Sequence, residues 1–226
     1  MNSEPHGHTL DIDSIGESIP LLEAMRSARS IRRLDSRPVP QALIRKICEA
    51  GTFAPSGGNR QPWIFVAVTE ESSRHWIAER YRNEFREYIA PAKLAAQSSD
   101  YPQVKRRNMH AAIHLAEYMH EVPVLLFVAG WTRRGEPQTQ SLFPCIQNIL
   151  LACRAVGLGS SLTMLHRHFQ REVDERLGLS VDTPSCAMLP IGWPLGKFGQ
   201  PPRRSVDSCL FFERYTGPEL TRKQRT

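Results

Sequence analysis

The stretch Ala54-Pro55-Ser56-Gly57-Gly58-Asn59-Arg60-Gln61-Pro62-Trp63 governs how the rest of the chain is read. Its Pro, Ser, Gly and Asn content predicts a loop, and the run Trp63 to Val68 that follows predicts a strand. Two glycines let the backbone come close to a ligand. Asn59 and Gln61 each carry an amide donor and an acceptor, a set that matches the edge of a heterocycle bearing both N–H and C=O. An ordinary helix-to-strand loop has the same composition, so this stretch alone selects no chemistry.

Towards the N-terminus, a helix is expected to begin near Pro40, with Leu43, Ile44, Ile47 and Cys48 as its apolar stripe and Gly51 as its stop. An earlier helix is expected after Ser18, with Pro20 in its first turn and Ile19, Leu22, Met25 and Ala28 at helical spacing. Between them lies Arg29-Ser30-Ile31-Arg32-Arg33, where a helix ends and a loop begins. Guanidinium groups and a hydroxyl are what a phosphate requires, although an arginine-rich turn is also a common solvated surface.

Towards the C-terminus, residues 70–120 are mostly polar and helical, with a break around Asp100-Tyr101-Pro102. Val122 to Val128 predicts a fully buried strand, and Gly130 to Gln138 a loop. Leu142, Ile146, Ile149, Leu150 and Cys153 then define a strongly apolar helix that stops at Gly157, buried in the core or at a subunit contact. Short strands are expected at Ser160 to Leu165 and Cys186 to Ile191, with a helix around Phe169 to Leu177 between them and a last strand-like run at Cys209 to Phe212. Helices interrupted by strands in this way give an α+β architecture, with helices packed on one mixed sheet.

The chain has 226 residues, 41% hydrophobic and 23% charged, which suits one domain with a sizeable core. The expected division is a disordered segment over 1–17, the domain over 18–215 and a basic tail over 216–226. No apolar run reaches membrane-spanning length. Met1 to Glu17 is polar and acidic and does not read as a signal peptide. The five cysteines contain no Cys-x-x-Cys pair and read as free thiols in a reducing cytoplasm. A net charge of +6 is spread over separate small clusters, which suit a phosphorylated small molecule at least as well as a nucleic acid. Among the eight histidines, His110 and His114 share a helical face, but they lack the glutamate of a zinc protease motif, so no metal is expected.

Two later segments complete the pattern. Gly157-Leu158-Gly159-Ser160-Ser161-Leu162-Thr163-Met164-Leu165 passes from a helix end into a hydroxyl-bearing strand, and Pro201-Pro202-Arg203-Arg204 adds a second basic pair. In this order the four segments, with Pro38-Val39-Pro40, resemble the nitroreductase family of flavoproteins. The resemblance runs from about Ile19 to about Tyr215. It departs at Ala28, where relatives commonly carry one more basic residue, and after the late arginine pair, where Ser205-Val206 stands in place of a proline.

The resemblance implies a three-layer fold whose mixed, mainly antiparallel sheet is surrounded by helices, in a homodimer with exchanged terminal segments. It implies FMN at the dimer interface, reduced by NADH or NADPH in ping-pong fashion and reoxidised by a nitroaromatic, quinone or related small acceptor. Catalysis would then lie with the flavin, and the protein would position and tune it. Arg29, Ser30, Arg32 and Arg33 would hold the phosphate, with Arg203 or Arg204 closing it. Pro55, Ser56, Gly57, Asn59 and Gln61 would sit near the ring and ribityl chain, and Thr163, Met164 and Leu165 would approach the isoalloxazine. Three alternatives remain open: a flavin-fragmenting enzyme, a non-catalytic flavin-binding regulator, and a reductive dehalogenase of the iodotyrosine deiodinase type. The last would use Glu84 and Tyr88 on substrate, with a cation from the Lys105 to Arg107 region.

Overall fold

The computed structural model describes residues 11–132 and 138–217. A short helix α1 (Leu21–Ser27) leads to strand β1 (Leu34–Asp35) and helix α2 (Gln41–Thr52). After the loop come β2 (Trp63–Val68), the long helix α3 (Glu71–Ala95), α4 (Gln103–Tyr118) and β3 (Val124–Gly130). Helix α5 (Thr139–Ala155), β4 (Gly159–Ser160), α6 (Gln170–Arg176) and β5 (Ser185–Pro194) complete the domain.

The sheet order is β1-β5-β3-β2, with β4 also paired to β5, and every pairing among the described residues is antiparallel. β3 is buried along its whole length, as its unbroken apolar run predicts. The strand's two-residue period divides the core. Leu125 and Phe127 of β3, with Met188 of β5, pack into a cluster with Ile77, Phe85 and Leu115 of α3 and α4. Val124, Leu126 and Val128, with Leu189 and Ile191, face Leu43 and Ile47 of α2 and Ile146 and Ile149 of α5. Helices therefore cover both faces, and the expected three-layer α+β arrangement is present.

Several expectations are corrected in detail. Pro20 caps α1 rather than lying within it. Gly51 does not stop α2, which continues to Thr52. A Cβ at position 51 would lie 2.7 Å from Ile149 Cγ1, so this glycine lets α2 and α5 approach closely. Gly157, by contrast, is the stop it was expected to be. It adopts φ +81°, and Leu158 N–H reaches back to Cys153 O at 2.8 Å, a Schellman closure. Residues 11–17, expected to lie off the domain, form turns held to it: Ile12 and Ile15 pack on the α2–α5 cluster, and Lys46 Nζ donates to Ile12 O and Asp13 O. Residues 1–10, most of the Gly130 to Gln138 loop and most of the basic tail lie outside the described residues.

The strand expected over Ser160 to Leu165 is a ladder only at Gly159–Ser160, with a single bridge from Thr163 to Met188. Pro190 is the cause. Ser161 N–H donates to Pro190 O at 3.4 Å, but proline has no N–H to return, and the pairing lapses there. Leu165–Phe169 is a 3-10 turn instead. Cys209 to Phe212 forms no ladder either. It follows a 3-10 turn at Val206–Ser208 and leaves Leu210 and Phe212 exposed, because none of the described strands lies alongside it.

Candidate functional site

The end of α1, the start of β4 and the segment after β5 converge on one cavity of about 240 Å³. Arg29, Ser30 and Arg203 line it together, so the structure joins the two arginine clusters that the sequence separates. Neither arginine has a carboxylate within ion-pair distance among the described residues; Arg29 donates only to Lys197 O and Arg203 only to Pro202 O. Arg204 does not line the cavity. Arg33 is exposed, with His114 on its side of the molecule, and it also stays out.

A second cavity, of about 430 Å³, adjoins the first, since Ser161 and Leu162 line both. Arg32, Thr163, Met164 and Leu165 belong to this second one, so Arg32 is separated from Arg29 although only three positions apart. Burial pulls the Arg32 guanidinium below its ordinary value, with the Tyr81 hydroxyl opposing that effect. Thr163 is pinned by two backbone hydrogen bonds to Met188, at 3.0 and 2.9 Å. Its Oγ1 lies 3.0 Å from Tyr81 OH and accepts from Leu165 N–H at 3.3 Å. Burial raises the Tyr81 phenol, and the Thr163 hydrogen bond and Arg32 partly counter it, so the group stays protonated near neutrality.

Tyr88 lines the same cavity. Glu84, one helical turn earlier, lies 3.2 Å from Nδ1 of the cavity-lining His168. The Lys105 to Arg107 region does not reach it. Arg106 donates to Ala96 O and Ser98 O, and Lys105 and Arg107 are exposed outside the lining.

The loop that opened the sequence argument is ordered by its own groups. Asn59 and Gln61 both take φ +51°, and Gln61 N–H donates to Ser56 Oγ at 2.9 Å while Gln61 Nε2 donates to Asn59 Oδ1 at 3.3 Å. Left-handed backbone at two non-glycine residues carries a strain cost, which is held where a site requires it. Gly57 N–H donates to Ser141 Oγ and fastens the loop to the first turns of α5. Within this chain, however, Pro55, Ser56, Gly57, Asn59 and Gln61 line neither cavity.

Ser161 is 2% exposed, and its Oγ has no hydrogen-bond partner among the described residues. A buried orphan hydroxyl is costly, and this one sits where the two cavities join. The arrangement suits a ligand with a phosphate at the Arg29 end, a polar chain past Ser161 and a planar ring beside Thr163. Sequence reasoning missed Arg154 and Phe198 in the first cavity and Tyr81 and His168 in the second. Each lies inside a helix or an irregular segment with no local motif to mark it.

A family model described as the nitroreductase family matches residues 25–193. Iodotyrosine deiodinase 1 of Rattus norvegicus is 39% identical over 185 residues, 76% of this chain and 61% of that protein. An NADH dehydrogenase of Thermus thermophilus is 30% identical over 198 residues, 78% of this chain and 89% of that protein. Among solved structures, oxidized iodotyrosine deiodinase bound to FMN and 3-iodo-L-tyrosine superposes with a TM-score of 0.70 at 21% identity, covering 87% of this chain and 100% of that one. The chain spans 66% of the deiodinase of Drosophila melanogaster and 62% of that of Daphnia pulex.

Proposed function

The chain belongs to the nitroreductase family, and from that premise we propose that it is an FMN-dependent oxidoreductase taking electrons from NADH or NADPH and passing them to a nitroaromatic, quinone or related small acceptor. The observation that carries this reading is the pair of joined cavities, with unpaired guanidinium groups at one end, the orphan Ser161 hydroxyl at the junction and Thr163 at the other end. Bound FMN supplies hydride acceptance from the nucleotide and electron delivery to the acceptor, in alternate half-reactions.

The chain's own residues bind and orient. Arg29 and Arg203 neutralise the phosphate, and Ser30 offers it a hydroxyl. Ser161 donates to the polyol chain and so loses its orphan status. Thr163, fixed by β5 and tied to Tyr81, presents its hydroxyl to the ring, while Met164 and Leu165 cover it with apolar surface that excludes water. Arg32 places a positive charge in the lining of the ring cavity, where it would favour a ligand that gains negative charge.

The active unit we propose is a cytoplasmic homodimer. Asn59 and Gln61 hold left-handed backbone, and together with Pro55, Ser56 and Gly57 they lie away from the cavities of their own chain, as expected of a loop that serves the partner's site. Leu210, Phe212 and Tyr215 are exposed. An open apolar groove between α2 and β2, lined by Ile44, Phe65 and Leu126, offers a partner's C-terminal segment a place to dock. The five cysteines are free within this chain, which supports a reducing compartment.

A second reading is favoured by Tyr88 lining the ring cavity, with Glu84 held to the cavity-lining His168: a reductive dehalogenase acting on a halogenated tyrosine. Against it, the Lys105 to Arg107 cations that this reading calls for stay outside the lining, where Arg32 is the arginine present among the described residues. The deciding experiment is anaerobic. Purified protein should be yellow, release FMN on heating and bleach with NADH or NADPH. Turnover of nitroaromatics or quinones without deiodination of 3-iodotyrosine is expected. A colourless protein that cannot be loaded with FMN refutes the proposal, and efficient deiodination with poor nitro reduction replaces it by the second reading.

A further inference from the structure

Arg154 lies in the last turn of α5 and lines the same cavity as Arg29, Ser30 and Arg203. Its guanidinium is held on two sides. Nε donates to Ser27 Oγ at 2.8 Å, and Ser27, 3% exposed, donates in turn to Glu23 O at 2.7 Å. The guanidinium carbon lies 4.3 Å from the centre of the Phe198 ring. These contacts use one N–H and one face. Among the described residues no carboxylate and no further acceptor engages the remaining donors, which are free to meet a ligand.

A helix C-terminus and an aromatic face both favour a cation, and that accounts for a structural arginine. It does not account for three. Arg29, Arg154 and Arg203 come from three separate parts of the chain to one cavity, and none is ion-paired among the described residues. Arg29 and Arg203 are exposed and Arg154 is half-buried, so all three guanidinium groups can turn towards a multiply charged anion in the space between them, which would offset their mutual repulsion. A terminal phosphate monoester, carrying between one and two negative charges near neutrality, has that charge. Of the other nearby arginines, Arg26 lies 3.9 Å from Glu23 and lines an adjoining depression that shares Arg203, and Arg33 is exposed outside the cavity lining.

We propose that Arg154 is a phosphate-binding residue, completing with Arg29 and Arg203 a three-guanidinium clamp that selects a flavin carrying a terminal phosphate monoester over one without it. The inference rests on reading the cavity as an FMN site. It also gives the Phe198 contact a role. By stacking on Arg154, Phe198 fixes the segment that carries Arg203, so the clamp is arranged before the ligand arrives and less ordering cost falls on binding.

The test is titration of the apoprotein by quenching of flavin fluorescence, with FMN and riboflavin in parallel. Arg154→Ala should weaken FMN binding by about tenfold to a hundredfold, the range for a charge-assisted hydrogen bond, and leave riboflavin within about threefold. Ala28 presents only a methyl group to the same cavity, so adding Ala28→Arg to Arg154→Ala should recover about tenfold in FMN affinity. A purely structural role would weaken both flavins alike and would not be rescued; that result, or unchanged FMN affinity, overturns the proposal. Should Arg154→Ala fail to fold, Arg154→Gln, which keeps a donor towards Ser27, carries the same expectation. A wild-type protein that binds riboflavin as tightly as FMN refutes the FMN reading of the cavity itself, and is thereby told apart from failure of Arg154 alone.

Discussion

His166 should make the protein acid-labile, by an amount the structure sets. The ring is fully buried, its Nε2 lies 3.1 Å from Ser185 Oγ, its Nδ1 has no partner among the described residues, and Phe127 meets it edge-on. Burial, reinforced by Arg167, pushes its pKa from 6.5 down to about 4. Between those values the unfolded chain binds a proton that the folded chain refuses. Stability is therefore fully present above pH 6.5 and falls as pH drops towards 4, below which the whole contribution is lost. At about 1.4 kcal/mol per pH unit the loss is roughly 3 kcal/mol, a large share of the total for a typical domain.

The check is urea unfolding at pH values from about 4.5 to 7.5, comparing wild type with His166→Leu and His166→Gln. Both variants pay a pH-independent cost, Leu by leaving Ser185 Oγ unpaired. Carboxylates titrate in every background and cancel in the difference. Asp174, whose carboxyl is raised by burial and which accepts from Ser185 N–H, is among those that cancel. The wild-type advantage over either variant should shrink by about 2–3 kcal/mol across the interval. Parallel profiles would mean that His166 titrates normally in the fold and that the burial argument is wrong. The consequence for function is direct, since the turn carrying His166 follows Thr163 and Leu165 of the ring cavity.

Arg29→Ala should weaken FMN by about tenfold to a hundredfold with little change for riboflavin, whereas Arg32→Ala, in the ring cavity, should weaken both flavins similarly; apoprotein titration separates the two, and identical behaviour would contradict the division of the cluster. Tyr81→Phe removes the hydroxyl 3.0 Å from Thr163 Oγ1 and should cost about 1 kcal/mol of stability, read by denaturant midpoint, with a shift in the potential of the bound flavin as the functional signature. Gly130→Ala would bring a Cβ within 2.9 Å of the backbone Pro62 O, and a loss of about 1–3 kcal/mol in unfolding free energy is expected. Removing residues 206–226 should convert a sedimenting dimer to monomer; a truncated protein that remains a dimer would exclude the exchanged-segment arrangement.

Most of the fold was legible because its elements carry strong local signals. β3 is a continuous apolar run that cannot be solvated on either face, and α5 combines dense apolarity with a terminal glycine at φ +81°. Errors arose where partners decide. A strand requires a neighbour able to donate and accept, and neither the missing Pro190 N–H nor the lack of a strand beside Cys209 is visible in the run itself. Gly51 misled for a related reason: a helix stop and a helix-crossing glycine look the same until Ile149 is placed against it.

The site divided along the same line. Segments with a local motif were found, and the structure then sorted them by geometry. Arg29 and Arg32 are close in sequence, but Ile31 between them is buried and bonded to Ser160 O, and the two side chains line different cavities. Arg154 shows the limit of local reading. In the sequence it is one charge at the end of an apolar helix, and it gains meaning only when Ser27, from α1, and Phe198, from the segment after β5, orient it beside two other unpaired arginines. A family pattern marks the positions at which a phosphate is usually held. At Ala28 this chain carries no charge, and Arg154, brought in from α5 and bonded to the neighbouring Ser27, lines the same cavity; on the proposed reading it supplies the charge that Ala28 does not.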